Sequence, residues 1–247
     1  MRKLSLDRIL QSQGFGARKW CRELIEAGEV SVACEVVDDW HATYDAEALA
    51  NLVFTVYGET WAYREHVYVA LNKPPDMECS RKPSHHPGIL SILPEQFTWR
   101  DVQPVGRLDH DTTGLLLLSD DGAFIHAQSS PRRHVPKVYR ATTQDAVTPA
   151  LVDSLKAGVQ LHDEPAPLAA TWCRAIGENE IEIVLEQGKY HQVKRMLAAA
   201  GNHCKALRRS AIGGLSLREL GLDVGEWCYL DAGKIALLGK EPALEAE

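Results

Sequence analysis

GRLDHDTTGLLLLSDDG, Gly106 to Gly122, is the stretch on which the reading of this chain turns. Its second half holds four consecutive leucines, Leu115 to Leu118, bounded by Gly114 on one side and Ser119-Asp120-Asp121-Gly122 on the other. An apolar run this short, with turn residues at both ends, reads as a buried strand. The loop before it puts Asp109 at the strand's mouth, where a nucleophile or general base has to sit. Taken alone, the local sequence favours the plainer reading, a turn-forming aspartate.

Outward from this strand the pattern continues in the same style. VYVALNK (67–73) precedes it and VYRATT (138–143) follows. Thr171 to Ile176 and Glu180 to Leu185 flank Gly177-Glu178-Asn179 as a hairpin, with Ile181, Ile183 and Leu185 alternating onto one face. A helix is expected over Tyr190 to Ala200, with Val193, Met196, Leu197 and Ala200 as its apolar stripe and Gly201 as its stop. Towards the N-terminus, Leu6, Ile9 and Leu10 mark a short helix ended by Gly14-Phe15-Gly16. Ala17 to Ala27 marks a second, with Trp20, Leu24 and Cys21 facing inward and Gly28 as the cap. Val30-Ser31-Val32 and Val36-Val37 read as short strands. The less regular stretch Glu59 to His66 marks a boundary, dividing the chain into 1–66 and an α+β domain over 67–247 with much antiparallel pairing.

The composition is that of an ordinary globular protein, with 45% hydrophobic residues in 247. The longest apolar runs are five residues, such as Val67 to Leu71, far short of a membrane span, and MRKLSLDRIL lacks a signal peptide's features. A cytoplasmic protein is expected. The six cysteines form no CxxC pair and read as reduced thiols. The formal charge of −7 argues, on the crude rule, against a nucleic-acid binder and for a small-molecule enzyme. The average conceals segregation, however. Gln187 to Arg209 holds Lys189, Lys194, Arg195, Lys205, Arg208 and Arg209 with no acid. Pro131 to Arg140 holds Arg132, Arg133, Lys137 and Arg140 likewise, while acidic residues gather in Glu35 to Glu47 and in Glu241, Glu245 and Glu247. Two acid-free basic segments make a local anion-binding surface.

Three further features bear on chemistry. Gly188-Lys189-Tyr190-His191-Gln192-Val193-Lys194-Arg195 opens the helix expected after the hairpin, where backbone N–H groups and cations suit a phosphate or carboxylate. If Val193 and Met196 face the core, Lys194 flanks that stripe and can reach a cleft, where a cation keeps a catalytic aspartate ionised. His191 reads as a hydrogen-bonded structural histidine. Tyr139, between Lys137 and Arg140, can stack a nucleobase, although core packing is the commoner fate of a strand tyrosine. Asp109 and Asp111 also read as an acid–base pair of a hydrolase or as two metal ligands. The absence of HExxH and of the HxE…PCxxC pattern speaks against a metal.

Together these segments resemble the motif set of the RsuA family of pseudouridine synthases. GRLDHDTTGLLLLSDDG resembles its catalytic-aspartate motif, KVY (137–139) its basic-x-Tyr segment, and LEQGKYHQVKRMLAAAGN its third motif. LNKP (71–74), Cys79-Ser80, His86-Pro87 and IGGLSL (212–217) are similar to further signatures, and the helix-helix-hairpin over 1–66 resembles an S4-type RNA-binding module. GVQLHDE (158–164) and KYHQVKRM look most like the branch acting on the RNA of the small ribosomal subunit. The sequence departs from the family at Pro75-Asp76, where a glycine usually follows LNKP by two residues, and at Cys34-Glu35, where S4 modules often carry Asn-Gly or Asp-Gly.

The resemblance implies an α+β protein: a small S4-like αα-hairpin module (1–66, with linker) before a mixed, largely antiparallel catalytic domain (67–247). It implies an isomerase without metal or cofactor, a monomer whose partner is ribosomal RNA or the assembling small subunit. Asp109 would be the essential carboxylate and Lys194 its basic partner, with Arg195 second choice. Tyr139 would stack on the target base, Leu185 would pack beneath it, and Arg107 would fill the gap left by the displaced base. Lys137, Arg195, Arg18, Lys19 and Arg22 would contact RNA. The alternatives are a large-subunit RNA synthase of the same family, a non-catalytic S4-type assembly factor, and the carboxylate-pair hydrolase.

Overall fold

The leucine run forms the strand Thr113–Ser119, with Leu115, Leu116, Leu117 and Leu118 all buried, in a computed structural model that describes residues 3–244. Glu245 and Glu247 of the acidic tail lie outside the described residues. The strand is covered on both faces, which is why it reads as a continuous apolar run and not as an alternation.

It sits within a mixed sheet whose main path runs Trp172–Gly177, Glu180–Leu185, Lys137–Thr143, Cys204–Ile212, Thr113–Ser119, Tyr68–Lys73 and Trp227–Tyr229. Every pairing along this path is antiparallel except that of Thr113–Ser119 with Cys204–Ile212, where Arg208 faces Thr113 and Arg209 faces Gly114. The parallel crossing is tight. Gly114 has φ +105°, and a Cβ there would collide with the Arg209 carbonyl oxygen, so only glycine fits. One face of the sheet packs Ala70, Leu115, Leu117, Ile212, Leu215 and Phe124 into a core, and the other packs Val138, Val184 and Ala211.

Cys204–Ile212, nine residues long, escapes the sequence pattern because Lys205, Arg208 and Arg209 interrupt its apolar residues. Glu180–Leu185 also differs from expectation. Both of its faces are covered, and between the expected Ile181, Ile183 and Leu185 the strand buries Glu182, whose carboxylate lies 3.4 Å from Arg140 Nε and 3.5 Å from Arg174 Nη2.

The described residues divide into two compact units: those up to Val67 together with Leu90–Val102, and Tyr68–Ile89 together with the chain from Gln103 onward. The segment Leu90–Val102, read from sequence as part of the second domain, thus packs with the first unit. Here helices Leu6–Ser12 and Arg18–Glu26 precede a four-stranded antiparallel sheet ordered Glu35–Val36, Val30–Val32, Val53–Val56, Glu59–Ala62. The supposedly irregular boundary, Glu59 to His66, therefore begins with a paired strand. The inward face of the second helix is Cys21, Leu24 and Ile25, while Trp20 is 50% exposed. Residues 21, 24 and 25 share one helical face at i, i+3, i+4, and Trp20 stands off it.

Two departures from the family pattern turn out to preserve geometry. Ala33 and Cys34, at φ 51° and 66°, form the two-residue turn between Val32 and Glu35, the left-handed pair that a tight hairpin requires of Asn-Gly. Asp76, at φ 57°, takes the left-handed conformation where glycine is usual. Aspartate is among the few residues that tolerate it. Among the described residues no helix is long and apolar enough to cross a membrane.

Candidate active site

The loop before the leucine strand is built around a buried lysine. Lys73, wholly inaccessible at the end of Tyr68–Lys73, donates from Nζ to the carbonyl oxygens of Pro74 (2.9 Å), His110 (2.9 Å) and Thr112 (3.0 Å). Three carbonyl dipoles solvate a charge that burial otherwise penalises, and the desolvation pushes its pKa below the ordinary lysine value. One lysine thereby fixes the loop carrying Asp109. Asp109 also closes a turn, its carbonyl oxygen accepting from Thr112 N–H at 3.1 Å. It is a turn-forming aspartate, and its carboxylate faces a cleft.

In that cleft Asp109 Oδ1 lies 3.2 Å from His191 Nε2 and Oδ2 lies 3.3 Å from Lys194 Nζ. Lys194 also donates to both Asp111 oxygens, at 2.7 and 2.9 Å. Burial works against its charge, but the two carboxylates prevail and raise its pKa, while Lys194 lowers that of Asp111 against the same penalty. Of the two adjacent cations, Lys194 is the one on Asp109. Arg195 turns to the carboxylate of Asp163 and to the Tyr190 carbonyl oxygen at 3.1 Å. Both side chains, with His191, come from the start of helix Gln192–Ala199, which buries Val193, Met196 and Leu197. His191 stands at its N-cap with φ 46°. His191, a structural histidine by its local sequence, thus lies against Asp109; a histidine beside the helix start next to the cation is a signal that fits either place.

The cleft has a volume of about 880 Å³, and Arg107, Asp109, Lys137, Tyr139, His191 and Arg209 are among the residues that line it. Leu185 and Tyr139 share a smaller hollow beside it with Arg107 and Asp109. Tyr139 lies next to a register shift between Lys137–Thr143 and Cys204–Ile212, a local irregularity of the kind that re-aims side chains beside functional sites. The second unit therefore brings together Asp109, Lys194, Tyr139, Leu185, Arg107 and Lys137.

Arg18, Lys19 and Arg22 lie in the first unit. Arg18 and Arg22 hold the buried Asp7 carboxylate at 2.8 and 2.7 Å, and Arg22 also lies over the Trp40 ring at 3.8 Å. Burial alone would raise the pKa of Asp7, yet hydrogen bonds from Ser5, Arg22 and Arg18 bring it down to about 2. Lys19 is solvent-exposed beside Glu23.

Comparison with known proteins meets the same segments. A family model described as RNA pseudouridylate synthase matches residues 67–199, which carry Asp109, Tyr139, Leu185, His191 and Lys194. The chain is 33% identical over 245 residues to an uncharacterized RNA pseudouridine synthase, YtzG, of Bacillus subtilis, covering 97% of this chain and 100% of that one. It is 40% identical over 203 residues to ribosomal small subunit pseudouridine synthase A of Escherichia coli K12, covering 78% and 87%. A crystal structure of a pseudouridylate synthase superposes with a TM-score of 0.65 at 30% identity, covering 95% of this chain and 99% of that one. With the aspartate loop, the tyrosine strand and the lysine-bearing helix all inside the matched region, the chain belongs to the RNA pseudouridine synthases, in the branch that resembles RsuA.

Proposed function

We propose that this protein isomerises one uridine of small-subunit ribosomal RNA, in the cytoplasm and as a monomer, with uridine 516 as the position the resemblance suggests. The observation that carries the reading is the Asp109 carboxylate held between His191 Nε2 and Lys194 Nζ in a cleft lined also by Tyr139. The 40% identity to a relative named for the small ribosomal subunit supports the substrate.

In this isomerisation the bond from N1 to C1′ breaks, the uracil rotates, and C5 joins C1′. The proton lost from C5 is matched by one gained at N1, so electrons and atoms balance within the nucleotide. Asp109 acts at the sugar, either attacking C1′ or taking the 2′ proton; both routes need an ionised carboxylate, and Lys194 provides the neighbouring positive charge. Tyr139 stacks on the uracil, with Leu185 packed beneath. A base in structured RNA must leave its stack to reach this cleft, and Arg107, exposed at the rim, occupies the gap. Lys137 and Arg195 contribute phosphate contacts, and the first unit acts as an S4-like RNA-binding module through Arg18, Lys19 and Arg22.

The test is to map pseudouridines in ribosomal RNA from cells with and without the protein, and with Asp109→Asn in its place. One pseudouridine in small-subunit RNA should vanish without the protein and stay absent with the variant, while RNA binding survives. Its persistence with Asp109→Asn would overturn the role of Asp109. A loss confined to large-subunit RNA would move the substrate, and full complementation with no modified base would make the protein an assembly factor.

A further inference from the structure

Two cations meet in the cleft at a point the reaction chemistry does not use. Arg209 is 3% exposed and lines the cleft; its Nε donates to the Leu115 carbonyl oxygen at 2.7 Å, but Nη2 is buried with no hydrogen-bond partner among the described residues. Lys137 lines the same cleft, and its Nζ donates to the Val135 carbonyl oxygen at 2.7 Å. Among the described residues no carboxylate forms an ion pair with either. The acid that acts on Lys137 is Glu186, which is engaged with His134 Nδ1 at 3.5 Å. Burial and the neighbouring Arg209 bring the Lys137 ammonium down to about 8, against the pull of Glu186. A buried guanidinium nitrogen without an acceptor, beside a desolvated ammonium, is a costly arrangement in an apoprotein. An anion that supplies acceptors to both removes that cost.

We propose that Lys137 and Arg209 form an anion subsite that takes a phosphate flanking the target uridine, fixing the nucleotide while Tyr139 holds its base. The strand geometry places the subsite appropriately. Lys137 and Tyr139 are two residues apart on one extended strand and line the same cleft, so their Cα atoms are about 6.5 Å apart. Arg209 is the cross-strand partner of Tyr139. Base and phosphate of one nucleotide are thus received by three side chains on two adjacent strands, and the target is gripped by its own backbone after leaving the stack. The proposal rests on the reading of the cleft as a uridine site.

Binding of uridine, uridine 5′-monophosphate and uridine 3′-monophosphate to the full-length protein, measured by calorimetry, tests it. One of the monophosphates should bind at least about tenfold tighter than uridine, the scale of a charge-assisted hydrogen bond, and sulfate should compete with it but not with uridine. Which monophosphate gains identifies the phosphate. Lys137→Met keeps the apolar stem and should erase the preference, costing the monophosphate at least about tenfold more affinity than it costs uridine; Arg209→Lys, which keeps the charge but loses the fork, should reduce it. Equal binding of uridine and both monophosphates, no monophosphate binding at millimolar concentration, or an equal loss for all three in Lys137→Met overturns the subsite. Failure of the functional reading shows separately, as absence of pseudouridine formation by the wild-type protein, and leaves the phosphate preference measurable.

Discussion

Lys194 serves two carboxylates, and its shorter bonds go to the one not assigned to chemistry: 2.7 and 2.9 Å to Asp111 against 3.3 Å to Asp109. These distances make Asp111 the carboxylate expected to hold the lysine in place, a role distinct from pairing with Asp109 as acid and base. Asp111→Asn is expected to lower pseudouridine formation by about tenfold, the loss of one charge-assisted bond, whereas Asp109→Asn abolishes it. Comparable losses in single-turnover assays of the two variants would show that Asp111 takes part in the chemistry with Asp109 instead of positioning Lys194. Lys137 illustrates the opposite balance, a group whose charge costs stability. Its folded pKa of about 8 lies below the ordinary lysine value of 10.5, so the fold disfavours its charge. The penalty is full below pH 8 and is relieved as pH rises from about 8 towards 10.5. Lys137→Met should therefore stabilise the protein at pH 7 by roughly 1–3 kcal/mol, with the gain shrinking towards pH 10. Urea midpoints at the two pH values check this, and a destabilised variant at pH 7 would contradict it.

At the scale of elements, local rules are kept by residues that do not usually keep them. The hairpin turn of the first unit has two left-handed residues, Ala33 and Cys34, both with a Cβ. Replacing the pair by Asn-Gly should stabilise the protein by about 1–2 kcal/mol, the cost of left-handed backbone in such residues. Thermal unfolding measures it, and an unchanged or lower midpoint would show that the turn is not strained. The strand Cys204–Ile212 is the reverse case: an element without a readable local pattern, stabilised by its place between Lys137–Thr143 and Thr113–Ser119. Its cationic residues are illegible as strand because one of them, Arg209, is buried against a carbonyl oxygen from the next strand instead of facing water.

At the scale of the whole molecule, the charge of −7 divides unevenly. The first unit holds eight basic and thirteen acidic residues, the second nineteen and twenty-one. In the first unit, Arg18 and Arg22 are committed to Asp7, which lowers the positive charge that helix offers to phosphate. RNA contacts should therefore be few and local. With about four phosphates neutralised, log K against log salt concentration should have a slope near −3, while a slope near −7, equivalent to about ten, would contradict a local interface. Titrations of an RNA fragment at several salt concentrations provide the slope.

What could be read from sequence was what depends on near neighbours. The leucine strand, the hairpin over 171–185, the helix after Tyr190 and the Asp109 loop follow from apolar periodicity and turn residues, which act over a few positions. The tertiary structure decided which long-range partners meet. Nothing local distinguishes Lys194 from Arg195, brings His191 to Asp109, or places Lys73 under the loop at Thr112. Nor does it set Lys137 beside Arg209. Those outcomes depend on strand order, above all on Cys204–Ile212 entering parallel to the leucine strand across Gly114, where the absence of a Cβ lets two backbones approach and the cleft residues come within reach of one another.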